Sequence, residues 1–331
     1  MGLVPASLAH LVEEAPRTMH LAFMFPGQGA QKPGMGQALY DAFPEARAVF
    51  ERANEVLSFD LASLCFAGPA EKLTSTDIAQ PAILTVSIAT LHVLQAHGLP
   101  APTVALGHSL GEYSALVAAG SFSFETALLL VRKRGLFMRE AGAQMGGGMA
   151  AVIGADDEAL ASLIEEVRGG RILVAANYNA PDQTVISGEQ SAVADAGAAL
   201  KERGLGRYIP LRVSGAFHSP LMSPAAERMA AELDAAEILD AQVPVIPNAT
   251  AVPTQSAAAI RQALKDQVTS SVRWTSSVAQ LRGLGCTAAI EIGARGILGP
   301  MVEKIDSGLA ALSAHDVDSV RECLERLEAI R

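Results

Sequence analysis

The fold is decided by the stretch Val104-Ala105-Leu106-Gly107-His108-Ser109-Leu110-Gly111-Glu112-Tyr113-Ser114-Ala115-Leu116, which has the pattern of a short apolar strand, a turn between two glycines and a helix. Within it, Gly107 to Gly111 fits G-x-S-x-G, the nucleophile elbow, in which a serine sits on a tight strand-to-helix turn. The glycines leave room where a Cβ would collide with backbone, and the helix N-terminus directs free N–H groups at developing negative charge. The pattern therefore predicts a catalytic Ser109, with a tight turn that has no chemical role as the alternative.

The composition indicates a folded protein with a large core. The 331 residues are 50% hydrophobic and 18% charged, which allows one large domain carrying a small one and argues against disorder. The formal net charge of −10 argues against nucleic acid and anionic membrane surfaces as partners. Because Cys65, Cys286 and Cys323 lie far apart without metal-finger spacing, we expect reduced thiols, a cytoplasmic location and no bound metal.

The first twenty residues do not resemble a secretory signal. They contain Glu13, Glu14 and Pro16 and lack a basic segment, so residues 1–20 are expected to form an N-terminal tail outside the main fold. No apolar run is expected to be long enough to span a membrane.

Two structural units are predicted along the chain. The apolar run Leu21–Phe25 predicts a buried parallel strand, and with the elbow it indicates an α/β-hydrolase-like core built on a parallel sheet. After the glycines at 146–148, strand and helix patterns follow in the order β-α-β-β-α-β, which is typical of a ferredoxin-like unit. We therefore predict an α/β fold in which a catalytic domain of residues 21–144 and 214–331 carries an inserted ferredoxin-like small domain of residues 145–213.

A serine nucleophile needs a base within hydrogen-bond reach, and histidine is the usual one. Of the seven histidines, His218 is the best placed, at a strand-to-helix junction among small residues; a structural histidine is the alternative. His108 is expected to point away from the adjacent serine. An α/β-hydrolase would also supply an acid, but none of the available aspartates stands in a recognisable site, and the third member stays open. These aspartates are Asp156, Asp157, Asp182 and Asp195.

Five short motifs occur in one order along the chain. They are Phe25-Pro26-Gly27-Gln28-Gly29, Gly107-His108-Ser109-Leu110-Gly111-Glu112, Arg134-Gly135, Asn179-Ala180-Pro181 and Ala216-Phe217-His218-Ser219. Together they resemble the malonyl-CoA:acyl carrier protein transacylase family, which includes the acyltransferase domains of polyketide synthases. The similarity runs from about Leu21 to the C-terminal region, and several motifs in register are more specific than any single one.

The resemblance implies a role for each matching residue. Ser109 would be acylated and His218 would be the base, oriented by a backbone carbonyl, for which Gln267 is the candidate, rather than by a carboxylate. The backbone N–H groups of Gln28 and Leu110 would form the oxyanion hole. The remaining implied roles concern substrate binding: Arg134 would pair with the malonyl carboxylate, Asn179 would line the same pocket, and Phe217 with Leu110 would favour malonyl over methylmalonyl.

The resemblance also implies the substrates and the partner. Malonyl-CoA would be the donor and the phosphopantetheine thiol of an acyl carrier protein the acceptor, in fatty acid or polyketide biosynthesis, with no other cofactor and with a monomeric enzyme. The acidic carrier protein is expected to dock on a local basic face. The candidates for that face are Arg132, Lys133, Lys201, Arg203, Arg207 and Arg212. An acyl hydrolase of the same fold and a non-catalytic scaffold are the alternatives.

Overall fold

The computed structural model describes residues 19–330, which form nine strands and fourteen α-helices. The strands are β1 (Leu21–Phe25), β2 (Val104–Gly107), β3 (Gly148–Ile153), β4 (Leu173–Ala180), β5 (Gln183–Gly188), β6 (Arg207–Pro210), β7 (Val245–Ile246), β8 (Ala288–Ile292) and β9 (Ala310–Ala314). The α-helices are α1 (Gln37–Ala42), α2 (Pro44–Leu57), α3 (Leu61–Ala67), α4 (Ala70–Thr74), α5 (Thr76–Ala96), α6 (Gly111–Ala118), α7 (Phe124–Met145), α8 (Asp157–Arg168), α9 (Gln190–Arg203), α10 (Ser223–Ala235), α11 (Ala257–Gln267), α12 (Trp274–Gly283), α13 (Gly299–Ile305) and α14 (Val317–Ile330).

Strand β1 lies at the centre of a five-stranded parallel sheet with the order β7-β2-β1-β8-β9. All five residues of β1 are buried, and successive side chains point to opposite faces of the sheet. Phe23 and Phe25 belong to the larger hydrophobic core, while Ala22 and Met24 belong to a second core that contains Trp274. Because both faces are covered, the strand has the continuous apolar run of a buried parallel strand. The mixed α/β fold with a parallel sheet is thus confirmed.

Helix α5 crosses the larger core. By length and composition it could span a membrane, so the expectation that no apolar run reached that length was wrong. However, 94% of its apolar window is buried inside the fold, which is the environment of a core helix.

The second sheet is antiparallel and has the order β4-β5-β3-β6. Helices α8 and α9 pack against it around a small core of its own. Strand β4 also contacts the segment that follows α11, since the Tyr178 N–H donates to the Val272 carbonyl and the Val272 N–H donates to the Ala176 carbonyl. These two bonds hold one edge of the small sheet against the carboxyl end of the parallel sheet.

Close backbone contacts fix the turn between β2 and α6. A Cβ on Gly107 would overlap the carbonyl group of Gly111, and a Cβ on Gly111 would overlap the carbonyl oxygen of Phe25. Helix α7 is held by a similar contact, because a Cβ on Gly135 would crowd the carbonyl oxygen of Thr76 at the start of α5. Glycine at these three positions therefore lets the elbow approach β1, and α7 approach α5, closely enough to form one site.

The structure differs from the sequence expectations at several boundaries. Helical patterns from about Gly36 to Ser58 form two helices, because extended backbone at Phe43 separates α1 from Pro44 at the start of α2. The residues Asn179-Ala180-Pro181-Asp182 have the composition of a turn between two strands, but Asn179 lies within β4. Of the predicted tail, residues 1–18 lie outside the described part of the chain.

We predict that Gly111→Ala lowers the free energy of unfolding by roughly 2–3 kcal/mol, because the added methyl group overlaps backbone that has no room to move. Gly283→Ala is the matched control, since a Cβ at this helical glycine meets nothing within 4 Å. We expect that variant to be neutral or stabilised by about 0.5 kcal/mol. Urea unfolding measures both changes, and equal stabilities of the two variants would contradict the close packing of the elbow.

Candidate active site

The nucleophile elbow holds Ser109 in a left-handed conformation, with φ at 50°. This conformation is unfavourable for a residue with a Cβ and needs support from its surroundings. Asn248, which follows β7, supplies that support: its Oδ1 accepts the Ser109 N–H at 2.6 Å and its Nδ2 donates to the Gly107 carbonyl at 2.6 Å. One amide side chain therefore clamps both sides of the turn.

The structure brings the two predicted catalytic residues together, with Ser109 Oγ 2.8 Å from His218 Nε2. On the other side of the ring, His218 Nδ1 lies 3.0 Å from the carbonyl oxygen of Gln267 and 3.1 Å from that of Ser270. Because carbonyl oxygens only accept, Nδ1 carries the proton and Nε2 is free to accept the serine proton. Burial and, to a smaller extent, the charge of Arg134 together lower the pKa of His218 to about 3. The imidazole is therefore a neutral base.

The aspartates considered for a triad all have other roles. Asp156 caps helix α8, and Asp157 accepts a hydrogen bond from Thr184. Asp182 pairs with Lys304 and Asp195 pairs with Arg171. The two backbone carbonyls at His218 Nδ1 occupy the place where a carboxylate would lie, as the resemblance implies for Gln267.

Arg134 extends from α7 to the nucleophile and is only 1% exposed. Its guanidinium donates to Gln80 Oε1 at 2.9 Å, to Gln267 Oε1 at 2.9 Å and to Ser109 Oγ at 3.2 Å. It also lies over the Tyr113 ring, 5.8 Å from the centroid. Its Nε has no acceptor in the part of the chain that the structure describes. A fixed positive charge with an uncommitted N–H thus lies beside the serine hydroxyl.

A cavity of about 380 Å³ opens over the serine, between the two sheets. It is lined by the predicted residues Gln28, Ser109, Leu110, Arg134, Asn179, Phe217 and His218, and by Met138, Met149, Ala151, Val185 and Leu211 among others. Gln267 lies behind this surface, in contact with Arg134. His108 hydrogen-bonds Asn179 at 2.8 Å through Nε2 rather than turning to the serine. The cavity lining is therefore largely apolar, and Ser109, His218 and Arg134 are among its polar groups.

Two backbone N–H groups at the cavity are free to bind an oxyanion. Among residues 19–330, neither the Gln28 N–H nor the Leu110 N–H donates to a protein acceptor. The Ser109 N–H is not available, because Asn248 already accepts it. The Gln28 side chain is directed elsewhere and donates to Thr76 Oγ1 at 3.4 Å.

Sequence reasoning missed several residues that support the site. Asn248, Ser270, Gln80 and the buried carboxylate Glu112 were given no role. Burial raises the pKa of Glu112 to about 7, although hydrogen bonds from Asn248 and Gln267 and the charge of Arg134 oppose that rise. Asn248 could have been found as a polar residue at the end of a strand, and Glu112 as a charged residue on an otherwise apolar helix. Gln80 and Ser270 carry no local signal.

Comparisons with known proteins agree on one family. The model of the acyl transferase domain family matches residues 22–311. A malonyl CoA-acyl carrier protein transacylase of Bacillus subtilis (strain 168) is 46% identical over 309 residues, covering 93% of this chain and 97% of the relative.

Solved structures give the same picture. The fold is similar, with a TM-score of 0.90 and 41% identity, to a structure of a type II PKS acyl-carrier protein in complex with its malonyl-transacylase, over 93% of this chain and 99% of that one. The malonyl CoA-acyl carrier protein transacylase of Coxiella burnetii has a TM-score of 0.90 and 38% identity, over 93% of this chain and 98% of that one.

We predict that His218 stays neutral down to about pH 4. Its pKa is lowered from 6.5 to about 3, so only the unfolded chain takes up this proton between those values. The sign of the effect follows: the contribution of His218 to stability is complete above pH 6.5 and is lost as the pH falls toward 3. NMR titration of the ring nitrogens, assigned with a His218→Asn variant, measures the pKa directly. Protonation of His218 near pH 6.5 would contradict this assignment.

Proposed function

The chain belongs to the acyl transferase domain family, and on that premise we propose that it moves a malonyl group from malonyl-CoA to the phosphopantetheine thiol of an acyl carrier protein through a malonyl-serine intermediate. The observation that carries this proposal is the buried Arg134 guanidinium, 3.2 Å from the hydroxyl of a serine that is hydrogen-bonded to a neutral histidine. The relatives described above are named as enzymes of the same transfer.

In the first half-reaction Ser109 becomes acylated. Its Oγ attacks the thioester carbonyl of malonyl-CoA while His218 Nε2 takes the hydroxyl proton. The N–H groups of Gln28 and Leu110 stabilise the tetrahedral oxyanion, an effect typically worth about 3 kcal/mol per donor. The C–S bond then breaks, and coenzyme A leaves as the thiol with the proton held by the imidazolium.

In the second half-reaction the carrier protein accepts the acyl group. Its pantetheine thiol gives a proton to His218 and attacks the ester carbonyl. The C–O bond to Ser109 breaks, and the imidazolium returns the proton to the serine oxygen. Since the two substrates bind in turn, the mechanism is ping-pong and the malonyl ester must be kept from water.

Arg134 selects the acyl group by charge. A guanidinium makes charge-assisted, bidentate hydrogen bonds to a carboxylate, and its Nε–H is uncommitted. Esterification makes the serine oxygen a weaker acceptor. The Arg134 Nη2–H, which donates to Ser109 Oγ at 3.2 Å, then also becomes available to the carboxylate. A neutral acyl group such as acetyl would leave these buried donors unpaired. Phe217 and Leu110 line the same cavity and would crowd a methyl branch, which favours malonyl over methylmalonyl.

The alternative functions fit the site less well. An acyl hydrolase of the same fold gains nothing from a buried carboxylate clamp, and the relatives described above are named transacylases. A non-catalytic scaffold has no need of a serine–histidine hydrogen bond of 2.8 Å. One solved relative belongs to a type II PKS, and others are named only as transacylases. We therefore propose that the malonylated carrier protein serves fatty acid or polyketide synthesis.

The carrier protein is proposed to dock on the cations that have no acidic partner. Three of the six candidates are already paired: Arg132 with Asp77, Lys133 with Glu232 and Arg203 with Glu166. In the described part of the chain, the exposed side chains of Lys201, Arg207 and Arg212 make no ion pair. Arg207 and Arg212 flank the exposed apolar residues Ile209 and Leu211, and Arg212 also lines the cavity. This strip leads from β6 to the mouth of the site.

The architecture and setting complete the proposal. The strand order of the antiparallel sheet supports a ferredoxin-like domain, residues 145–213, inserted into an α/β-hydrolase-like catalytic domain, residues 21–144 and 214–331. We propose a cytoplasmic monomer whose reaction needs no metal or other cofactor. Within the described residues, no group of three or more His, Cys, Asp or Glu side chains is placed to hold a metal ion.

Incubation with malonyl-CoA is predicted to add one malonyl group to Ser109, because His218 Nε2 lies 2.8 Å from its hydroxyl. Intact-mass and peptide mass spectrometry detect the adduct, and Ser109→Ala is the control that should remain unmodified. The adduct should disappear when holo carrier protein is added and the carrier should gain the malonyl group. Release of free malonate in place of carrier loading would favour the hydrolase.

Arg134→Ala is predicted to reduce kcat/KM for malonyl-CoA by roughly 100-fold or more, since truncating one partner of a buried charge pair costs about 2–5 kcal/mol. For acetyl-CoA, whose acyl group has no carboxylate, kcat/KM should fall much less or should rise. Arg139→Ala, on the same helix but with its guanidinium on Asp77, is the matched control. An unchanged preference for malonyl in Arg134→Ala would remove the arginine from the account.

The Arg207→Ala/Arg212→Ala variant is predicted to raise KM for the carrier protein several-fold, because unpaired rim charges guide an acidic partner. Acylation by malonyl-CoA followed by hydrolysis, measured without carrier protein, should be unchanged. Arg203→Ala, whose charge is already used by Glu166, should change KM little. Equal effects of the two variants would place the docking surface elsewhere.

A further inference from the structure

Arg134 is buried without a directly bonded acidic partner. Its neighbours on α7, Arg132 and Arg139, both pair with the Asp77 carboxylate, but in the described residues Arg134 makes no ion pair. Its acceptors are two side-chain amides and a hydroxyl. A buried cation with only neutral acceptors is costly unless a countercharge lies nearby.

Glu112 is the nearby carboxylate. It lies on the first turn of α6, is 1% exposed, and its Oε2 accepts the Asn248 backbone N–H at 2.8 Å and the Gln267 Nε2–H at 2.8 Å. Gln267 therefore stands between the two charges, with its Oε1 facing Arg134 and its Nε2 facing Glu112. Because a guanidinium only donates and a carboxylate only accepts, the amide can satisfy both in this orientation alone.

We propose that Glu112 is the countercharge of Arg134, acting across the Gln267 amide, and that it stabilises the buried guanidinium while leaving its donors for the carboxylate of the substrate. The inference deepens the proposed function, on which the role of Arg134 as a carboxylate clamp rests. Glu112 is a positioning residue, since it touches neither the acyl group nor the reacting atoms.

The amide between the charges explains why the clamp stays available. A carboxylate bonded directly to Arg134 would occupy the donors that the substrate needs and would compete with it. Placed one side chain away, Glu112 offsets the buried charge and leaves the Nε–H uncommitted. The same amide also donates to the Ser109 carbonyl at 3.0 Å, so the arginine and the nucleophile are held by one group.

A double-mutant cycle at pH 8 tests the countercharge without any substrate, since Glu112, whose pKa is raised to about 7, is mostly ionised there. Glu112→Gln keeps the shape of the side chain and removes the charge, and Arg134→Met keeps much of the volume and removes the cation. Each single variant should lower Tm by several degrees, because each leaves one buried charge unbalanced. The decrease in Tm of the double variant should be clearly smaller than the sum of the decreases in the two single variants. Additive losses would overturn the proposal.

Glu291→Gln is the matched control for this cycle. Glu291 is also a 1% exposed carboxylate, but it accepts three backbone N–H groups, from Ile297, Leu298 and Gly299, and contacts neither Gln267 nor Arg134. The decrease in Tm caused by Glu291→Gln should therefore add to the decrease caused by Arg134→Met. If Glu112→Gln alone does not fold, recovery of folding in the double variant supports the countercharge, and failure to recover overturns it.

Ligand-induced shifts in Tm separate this inference from the proposed function. Malonamate carries the malonyl carboxylate and malonamide is its neutral counterpart. The wild type should be stabilised more by malonamate, and Glu112→Gln should show a larger malonamate shift than the wild type, since the ligand then supplies the only countercharge. If the Tm losses of Glu112→Gln and Arg134→Met are not additive but malonamate and malonamide shift Tm equally, Glu112 is the countercharge and Arg134 is not a carboxylate clamp. If the Tm losses are additive, and malonamate shifts Tm more than malonamide does but equally in Glu112→Gln and the wild type, Glu112 is not the countercharge and the clamp is retained.

Discussion

The guanidinium of Arg134, buried beside the serine hydroxyl, is the constraint on which the rest of the site depends. Its charge must be tolerated in the core, and the structure meets that demand with oriented amides rather than with a direct ion pair. The same charge acts on His218, where it adds to burial in keeping the pKa of the imidazole low. Under the proposed function, this buried cation selects the substrate, and together with burial it keeps the base unprotonated.

The two sheets divide the work of building the cavity. The parallel sheet presents Ser109 at the carboxyl end of β2, where glycines allow backbone to approach backbone without side chains between. The antiparallel sheet contributes the opposite wall, including Asn179 from β4, and is held there by hydrogen bonds between β4 and the segment around Val272. Because the serine lies on one unit and much of the wall on the other, the shape of the acyl pocket depends on how the units contact.

Much of the site could be predicted because its signals are local. The elbow, the strand β1 and the order of elements in the small sheet are each written in a short stretch of sequence, and His218 is marked by its small neighbours. Gln80 and Ser270 could not be predicted, since each acts on a side chain that is distant in sequence: Gln80 accepts from Arg134, and the Ser270 carbonyl lies at His218 Nδ1. Asn179 lies in a strand because its neighbours Tyr178 and Ala180 pair with β5, which the local turn residues do not indicate.

Under the proposed function, the free carboxylate of the malonyl group contacts Arg134 while its acyl carbon is attached to Ser109. The most direct measurement is a crystal structure of the enzyme acylated with malonyl-CoA. We expect the free carboxylate of the malonyl-serine ester to lie about 2.7–2.9 Å from guanidinium nitrogens of Arg134. The hydrogen bonds from Arg134 to Gln80 and Gln267 should be retained. A carboxylate directed to solvent or bound by other residues, with Arg134 unchanged, would contradict the account.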